Sequence, residues 1–511
     1  MSITSIVQKV LSQRAKELER YFTEPETLQR GVLQRLLQHG AMTLYGREHD
    51  ITGLTSYETF RRLVPVNSYE ELKDGIDRMR HGEKDVLWPG QVKWYAKSSG
   101  TTNDKSKFVP VSKDGLNHIH YAGGRDTVVW YLQNNPQSRL FDGRALILGG
   151  SHAPNYNVAH SLVGDLSAIL IENINPVVNF VRVPDKKTAL ISDFEVKREK
   201  IAQQCLKKNV TNLSGVPSWM MSVLTRVLEL SGKDHLEDVW PNLEVFFHGG
   251  IAFAPYRKQY EAMITKPDMH YMETYNASEG FFGIQNDPLD SSMMLMVDYD
   301  IFYEFAPIEA IDDDGMLTDP DSVVPLWGVK ANKNYAVIIT TSCGLWRYMI
   351  GDTVKFTSTM PYKFHITGRT KSFINAFGEE LIVDNAEKGL QYACAQTGAE
   401  VKEYTAAPVF RSEGVVPHHQ WVIEFTKEPE DLDAFAQLLD NKLKELNSDY
   451  EAKRFKDINM VCLKIVKARE GLFHDWLKSK GKLGGQHKVP RLCNNRKIIE
   501  EILQSPTPTL P

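Results

Sequence analysis

The sequence is poor in every feature that would tie it to a membrane, an oxidising compartment or a nucleic acid. Its five cysteines, Cys205, Cys343, Cys394, Cys462 and Cys493, are scattered along 511 residues, and none stands in a C-x-x-C pair. That pattern excludes a disulfide frame or zinc ribbon and predicts reduced thiols in a cytoplasmic protein. No apolar run approaches the ~20 residues of a membrane helix. Stretches such as Ala145–Leu148 and Ala336–Ile339 are strand-sized. Met1 to Arg20 carries a charge every few residues and has no apolar centre, so no cleaved leader is expected. Neither sign of charge dominates: 60 basic side chains face 65 acidic ones, a net −5. Nucleic acid and membrane are therefore not expected partners. Internal repeats are lacking, and only Ser505 to Pro511 is Pro/Thr-rich.

What is present is an ordinary globular mixture. Hydrophobic residues make up 42% and charged residues 24%, which excludes disorder as the whole answer. The length predicts more than one domain. Ile6, Val7, Val10, Leu11, Ala15 and Leu18 recur at helical spacing. A second helix is expected from Thr23, capped with Glu26, with Pro25 in its first turn and Gly40 at its end. From about 90 to 360, short β-rich runs (Ala145–Leu148, Leu243–Phe247, Met293–Val297, Tyr335–Thr340) alternate with amphipathic helices, which predicts an α/β architecture. Near Gly368-Arg369-Thr370-Lys371 the texture changes. Strands at Val401–Pro408, Trp421–Phe425 and Met460–Val466, with helices at Asp431–Leu446 and Leu472–Lys480, read as a small α+β module. The expected division is 1–366 and 367–511.

Three segments carry candidate chemistry. Lys97-Ser98-Ser99-Gly100-Thr101-Thr102-Asn103-Asp104-Lys105-Ser106-Lys107 sets four hydroxyls around one glycine and ends in lysines. Phosphate oxygens need many donors at once, and glycine admits close backbone approach. It is no Walker A motif, because Lys105 stands where the second glycine belongs; a polar surface turn is the plain alternative. Tyr275-Asn276-Ala277-Ser278-Glu279-Gly280 offers a ring to stack on a base and a carboxylate for a divalent cation, or else a solvated strand corner. In Leu345-Trp346-Arg347-Tyr348-Met349-Ile350-Gly351-Asp352, the aspartate suits the two hydroxyls of a ribose, although Gly-Asp is also a common turn pair.

A fourth stretch, Lys478 to Lys497, holds seven basic residues and no acid, with Gly481, Gly484 and Gly485 for flexibility. It reads as a solvated face, a nucleic-acid tail, or a mobile loop that delivers a lysine to developing negative charge. Other patterns are set aside. His248-Gly249-Gly250 has no accompanying G-x-S-x-G. His118 and His120 alternate as on a strand and lack a third metal ligand. No G-x-G-x-x-G follows a strand.

Taken in order, these segments resemble the adenylate-forming (acyl-CoA synthetase/luciferase-like) enzymes. More narrowly, they are similar to the auxin-responsive acyl-acid amido synthetase family of plants and its bacterial relatives. Ser98 to Thr102 with Lys107 match the family's S-S-G-T-[ST] motif. Tyr275, Ser278 and Glu279 match Y-x-x-S-E. Tyr348 to Asp352 approximate its Y-R-x-G-D, with the arginine displaced to Arg347. Gln486-His487-Lys488-Val489-Pro490-Arg491 resembles Q-x-K-x-P-R. One departure stands out: where plant members carry a lysine soon after the hinge, this chain has Gly378, in a Gly-Glu-Glu run like that of acyl-CoA synthetases.

The resemblance implies an α/β fold. A large adenylate-forming domain would hold mixed sheets, a β-barrel-like part and flanking helices, beside a small mobile α+β domain. It implies ATP and Mg²⁺ as cofactors, and adenylation of a carboxylic acid followed by transfer to an amino-acid amine. By resemblance, Ser98, Ser99, Gly100, Thr101, Thr102 and Ser278 belong to the nucleotide site, helped by Lys107. Tyr275 would pack on adenine, which Gly250 lets approach, Asp352 would bind ribose, and Glu279 would hold Mg²⁺. Lys488 is the expected adenylation lysine, with Lys482 second. A monomer is expected. The alternatives are an acyl-CoA ligase sharing the adenylation step, a non-catalytic nucleotide- or acyl-binding protein, and an RNA-binding protein using the basic stretch.

Overall fold

The computed structural model describes residues 2–98, 107–151, 158–250, 253–312, 315–370, 373–374, 376–377, 379, 381–410, 415–454, 460–480, 489–493 and 495–505. Helix α1 (Ile3–Leu18) starts where the Ser2 hydroxyl accepts from the Ser5 N–H. Val7, Leu11, Ala15 and Leu18 turn to the core, whereas Ile6 and Val10 of the expected apolar face are exposed. Helix α2 (Pro25–Gly40) opens with proline at its first turn. The expected Thr23 cap does not form. Thr23 closes the preceding turn by donating its N–H to the Arg20 carbonyl, so Glu24 becomes the cap residue without a side-chain bond. Gly40 is required by packing, since a Cβ there would stand 2.2 Å from the Trp346 ring. Helix α3 (Tyr69–Arg80) begins at a Ser68/Glu71 capping box.

Strands β1 (Trp94–Ser98) and β2 (Lys107–Val111) pair antiparallel, with Ser98 opposite Lys107. The chain then enters a π-turn, Leu116–His120, and helix α4 (Tyr121–Asn134). His118 and His120 thus stand on a helical segment and not on a strand. Their alternation is the i, i+2 spacing of a widened turn. His118 Nδ1 lies 2.8 Å from an Asp300 carboxylate oxygen.

A twelve-stranded sheet carries the rest of the large part. It contains β3 (Arg144–Ile147), β4 (Val210–Gly215), β5 (Val245–Gly249), β6 (His270–Ala277) and β7 (Gly280–Ile284), and later β8 (Tyr348–Thr359) and β9 (Tyr362–Arg369). The run β3-β4-β5-β6 is parallel, and from β6–β7 onward every pairing is antiparallel. Strands β4 and β5 are buried on both faces, which explains the apolar run at Leu243–Phe247, whereas on β3 only Leu146 is fully buried. The antiparallel half is curled. Side chains from seven of its strands, including Tyr275, Phe282, Tyr303 and Phe364, enclose one apolar cavity of about 10 Å³. The hydrogen-bonded strand order stays open, so the part is barrel-like without closure.

Past residue 370 a separate apolar core forms around Leu390, Trp421, Phe435 and Leu439. It is built by helices α5 (Val383–Thr397) and α6 (Leu432–Leu446) with strands β10 (Glu400–Val409), β11 (His418–Lys427) and β12 (Lys464–Lys467), while helix α7 (Leu472–Ser479) packs in a second apolar cluster with Val422 and Val489. Helix α5 is absent from the sequence reading, and β12 begins later than the Met460–Val466 expected. Met460 and Leu463 are buried in the core ahead of the paired residues. Asp431 caps α6 by accepting from the Asp433 and Ala434 N–H groups. All five cysteines are free. Among the described residues, no helix is long and apolar enough to cross a membrane.

Candidate active site

The parallel strands end side by side, and their ends are glycine-rich. In open α/β sheets ligands bind outside the carboxyl ends of such strands. Gly249 closes β5, where a Cβ would lie 2.3 Å from the Thr274 carbonyl oxygen. Gly250 follows with φ +83°, a left-handed conformation open to glycine, and its missing Cβ position lies 3.3 Å from Val216.

Beyond β6, the two-residue link Ser278-Glu279 joins Ala277 to its partner Gly280 on β7. Ser278 is buried. Burial raises the Glu279 carboxyl above its ordinary value, and the charge of Asp352 adds to this. Lys107 and Arg369 act in the opposite direction. Lys107, Glu279, Asp352 and Arg369 therefore share one electrostatic neighbourhood, although they come from four separated positions in the chain.

Asp352 is placed by Gly351, at φ +86°, and by the β8–β9 ladder, which sets it opposite Arg369. One carboxylate oxygen lies 3.1 Å from Arg369 Nε, and the other accepts the Tyr275 hydroxyl. Burial first, and the Asp352 charge second, hold the Tyr275 phenol protonated well above its ordinary range. The ring packs against Phe282 at 4.8 Å and Phe364 at 6.1 Å. Tyr275 and Asp352, 77 residues apart, are thus joined, with Tyr275 donating.

The structure adds residues that the motif reading missed. Arg369 binds the candidate ribose carboxylate through its cross-strand register with Asp352, which no local sequence signal declares. Tyr348 is buried with its hydroxyl unpartnered, and it feels Glu279, Arg369, Tyr69 and Asp352. Tyr69, at the start of α3, accepts the Phe108 N–H at 3.0 Å, and its ring lies 5.7 Å from Lys107 Nζ. Arg347, the displaced arginine, goes elsewhere. It is buried at φ +41° and pairs with Glu304.

Ser98 ends β1 at the mouth of the hydroxyl-rich run. Ser99, Gly100, Thr101 and Thr102 lie outside the described residues, as do Lys482 and Lys488. Of the other basic residues in that stretch, Lys480 pairs with Glu501 at 3.1 Å, Arg491 with Glu403, and Arg496 with Glu500 at 3.0 Å. These charges are spent inside the small module, which counts against a nucleic-acid strip. Glu379 of the Gly-Glu-Glu run is fully buried, 2.7 Å from His419 Nε2, with its other oxygen accepting the Phe377 N–H. Its role is to hold the turn to the module. Among the described residues, no cluster of three or more His, Cys, Asp or Glu is arranged to hold a metal.

Profiles of the GH3 family match in chain order: its N-terminal domain over residues 14–269, its central domain over 294–369 and its C-terminal domain over 384–497. The indole-3-acetic acid-amido synthetase GH3.4 of Arabidopsis thaliana is 22% identical, over 96% of this chain and 93% of the relative. A solved GH3.15 acyl acid amido synthetase in complex with 2,4-DB superposes with a TM-score of 0.78, at 18% identity, over 98% of this chain and 96% of that one. A 2-hydroxyisobutyryl-CoA ligase in the postadenylation state matches with a TM-score of 0.59 at 13% identity, over 95% and 94% of the two chains. The shared fold is that of adenylate-forming enzymes, and with all three of its parts matched in sequence the chain belongs to the GH3 family.

Proposed function

We propose that this protein is an ATP-dependent acyl-acid amido synthetase. The observation that carries the reading is the meeting of Tyr275, Glu279, Asp352 and Arg369 beside Lys107, at the carboxyl ends of the parallel strands. In the first half-reaction a carboxylate oxygen attacks the α-phosphorus of ATP, and the bond to pyrophosphate breaks. Two anions must meet in line, so charge neutralisation and positioning dominate. Asp352 accepts the ribose hydroxyls, which take over from the Tyr275 hydroxyl. Tyr275 packs on adenine, and Gly250 leaves room for it. Ser98, Ser99, Gly100, Thr101, Thr102 and Ser278 line the phosphates, and Lys107 supplies positive charge.

The Glu279 carboxyl, raised by burial and by Asp352, fits a divalent cation, whose charge would offset that repulsion. Bound Mg²⁺ would neutralise phosphate charge. In the second half-reaction an amino-acid amine attacks the acyl carbonyl, loses a proton, and displaces AMP.

The division at 366/367 belongs to this reading. The module beyond it swings about Gly368 to Lys371 and brings Lys488 to the α-phosphate. A cytoplasmic monomer completes it. Pyrophosphate exchange over a panel of carboxylic acids, followed by AMP release with amino acids against coenzyme A, tests the reading. Exchange with at least one acid and an amine-dependent AMP release are expected. Coenzyme A as the sole productive acceptor would replace it with an acyl-CoA ligase. Lys488→Ala is expected to lower exchange by about 10²-fold, the scale of one lost transition-state donor. Unchanged exchange would remove Lys488 from the mechanism.

A further inference from the structure

The π-turn Leu116–His120 sits between the strand that carries Lys107 and helix α4. Its last amide bond runs from the Tyr121 N–H back five residues to the Leu116 carbonyl. Such widened turns recur at functional positions. Helix α4, which the turn opens, packs against β7 so closely that a Cβ on Gly123 would stand 2.2 Å from the Phe281 ring. His120 is 3% exposed, and neither of its ring nitrogens has a hydrogen-bond partner. The side-chain oxygen of Asn276 is buried and likewise unpartnered. The two side chains are neighbours. Burial pushes the imidazole down to about 4, and Asn276 pulls weakly the other way without meeting it in proper hydrogen-bond geometry.

Asn276 follows Tyr275 on β6, with Ala277 between it and Ser278-Glu279, and it stands opposite Phe281 of β7, whose ring meets the helix that follows His120; the pair therefore lies beside the strand end that carries the candidate site. His120 is closed off to the same degree as Tyr275 and Tyr348 themselves, while Asn276 is half-buried. A neutral imidazole offers one donor and one acceptor, and the amide oxygen a second acceptor. A buried polar group left unpaired costs roughly 1–3 kcal/mol, and native structures keep few of them.

We propose that His120 and Asn276 are specificity-determining residues that bind a hydroxyl group on the carboxylic-acid substrate. The inference rests on the adenylation reading and deepens it by naming the class of acid. The acid's own carboxylate is not the occupant. It must reach the α-phosphate beside Lys107, and a neutral imidazole brings no charge to pair with it. A hydroxyl both donates and accepts, which is what the pair presents. A hydrogen or methyl in its place would leave the buried nitrogens unpaired.

Matched acids test this by pyrophosphate exchange with the full chain: benzoate against its three monohydroxy isomers, phenylacetate against 4-hydroxyphenylacetate, and hexanoate against 6-hydroxyhexanoate. One hydroxylated acid is expected to exceed its parent by about 10- to 100-fold in kcat/KM. His120→Phe should bring the pair to near parity, chiefly by lowering the hydroxylated member, while His120→Gln, which keeps a donor and an acceptor, should retain the preference. If His120→Phe does not fold, Asn276→Leu carries the same expectation. Parent acids used as well as hydroxylated ones, or a preference that survives these substitutions, would overturn the proposal and leave adenylation standing. Exchange with none of the acids would overturn the adenylation reading and this inference with it.

Discussion

Arg347 stands in the segment that delivers Asp352, and a motif alone would assign it to the nucleotide. The structure assigns it to the frame. Its Nε and Nη2 donate to the two Glu304 carboxylate oxygens at 2.8 and 2.9 Å, and Nη1 donates to the carbonyls of Arg61 at 2.9 Å and Val64 at 2.7 Å. The Tyr57 hydroxyl adds a bond to Glu304 at 3.1 Å. The paired side chains are only 3% and 1% exposed. Arg347→Met keeps much of the volume and removes the charge. Glu304 is then buried with one neutral donor, and two carbonyls lose their partner. Breaking a buried ion pair from one side costs about 3–5 kcal/mol. That is a large part of the roughly 5–15 kcal/mol by which domains are stable.

The urea transition followed by tryptophan fluorescence should move to lower concentration by the corresponding amount, with the slope unchanged. Adding Glu304→Leu should recover most of the loss, because the stranded carboxylate is then gone. Below the transition, the KM for ATP should equal that of the parent. A stability loss under about 1 kcal/mol, joined to a raised KM, would refute the reasoning and return Arg347 to the nucleotide.

Two further predictions follow from the same geometry. Asp352→Ala should raise the KM for ATP about 10-fold or more while changing kcat less, because it removes an acceptor used for binding rather than for the bond change. Isothermal titration with ATP checks it, and an unaltered affinity would contradict the ribose role. Burial pushes the carboxyl of Glu273, on β6, from 4.5 up to about 7. A folded value above the unfolded one means that the folded state holds the proton more tightly. Its contribution is therefore complete below 4.5 and is lost as pH rises through 7. The two values differ by enough to remove on the order of 3 kcal/mol by pH 8. Glu273→Gln should flatten the stability profile between pH 5 and 8, read from urea midpoints; a parallel profile in the variant would sink the assignment.

Much of the molecule was legible in one dimension because it depends on local chemistry. Pro25 marks the first turn of α2, Asp431 caps α6, and apolar runs mark β3 and β5 as strands, since cap geometry and side-chain period are short-range properties. The three ordered motifs likewise declared the family, because Ser98 to Thr102, Tyr275 to Glu279 and Gly351-Asp352 each keep their spacing within a few residues. What lay beyond the sequence is pairwise and distant. The bond between Tyr275 and Asp352, the register that sets Arg369 against that same carboxylate, and the burial of Arg347 with Glu304 join residues from 17 to 77 positions apart. A sheet ladder and a shared dielectric decide them, and neither leaves a local pattern. Gly40 shows the same division in one residue: its letter suggests a helix end, while its reason is the Trp346 ring arriving from the far side of the chain.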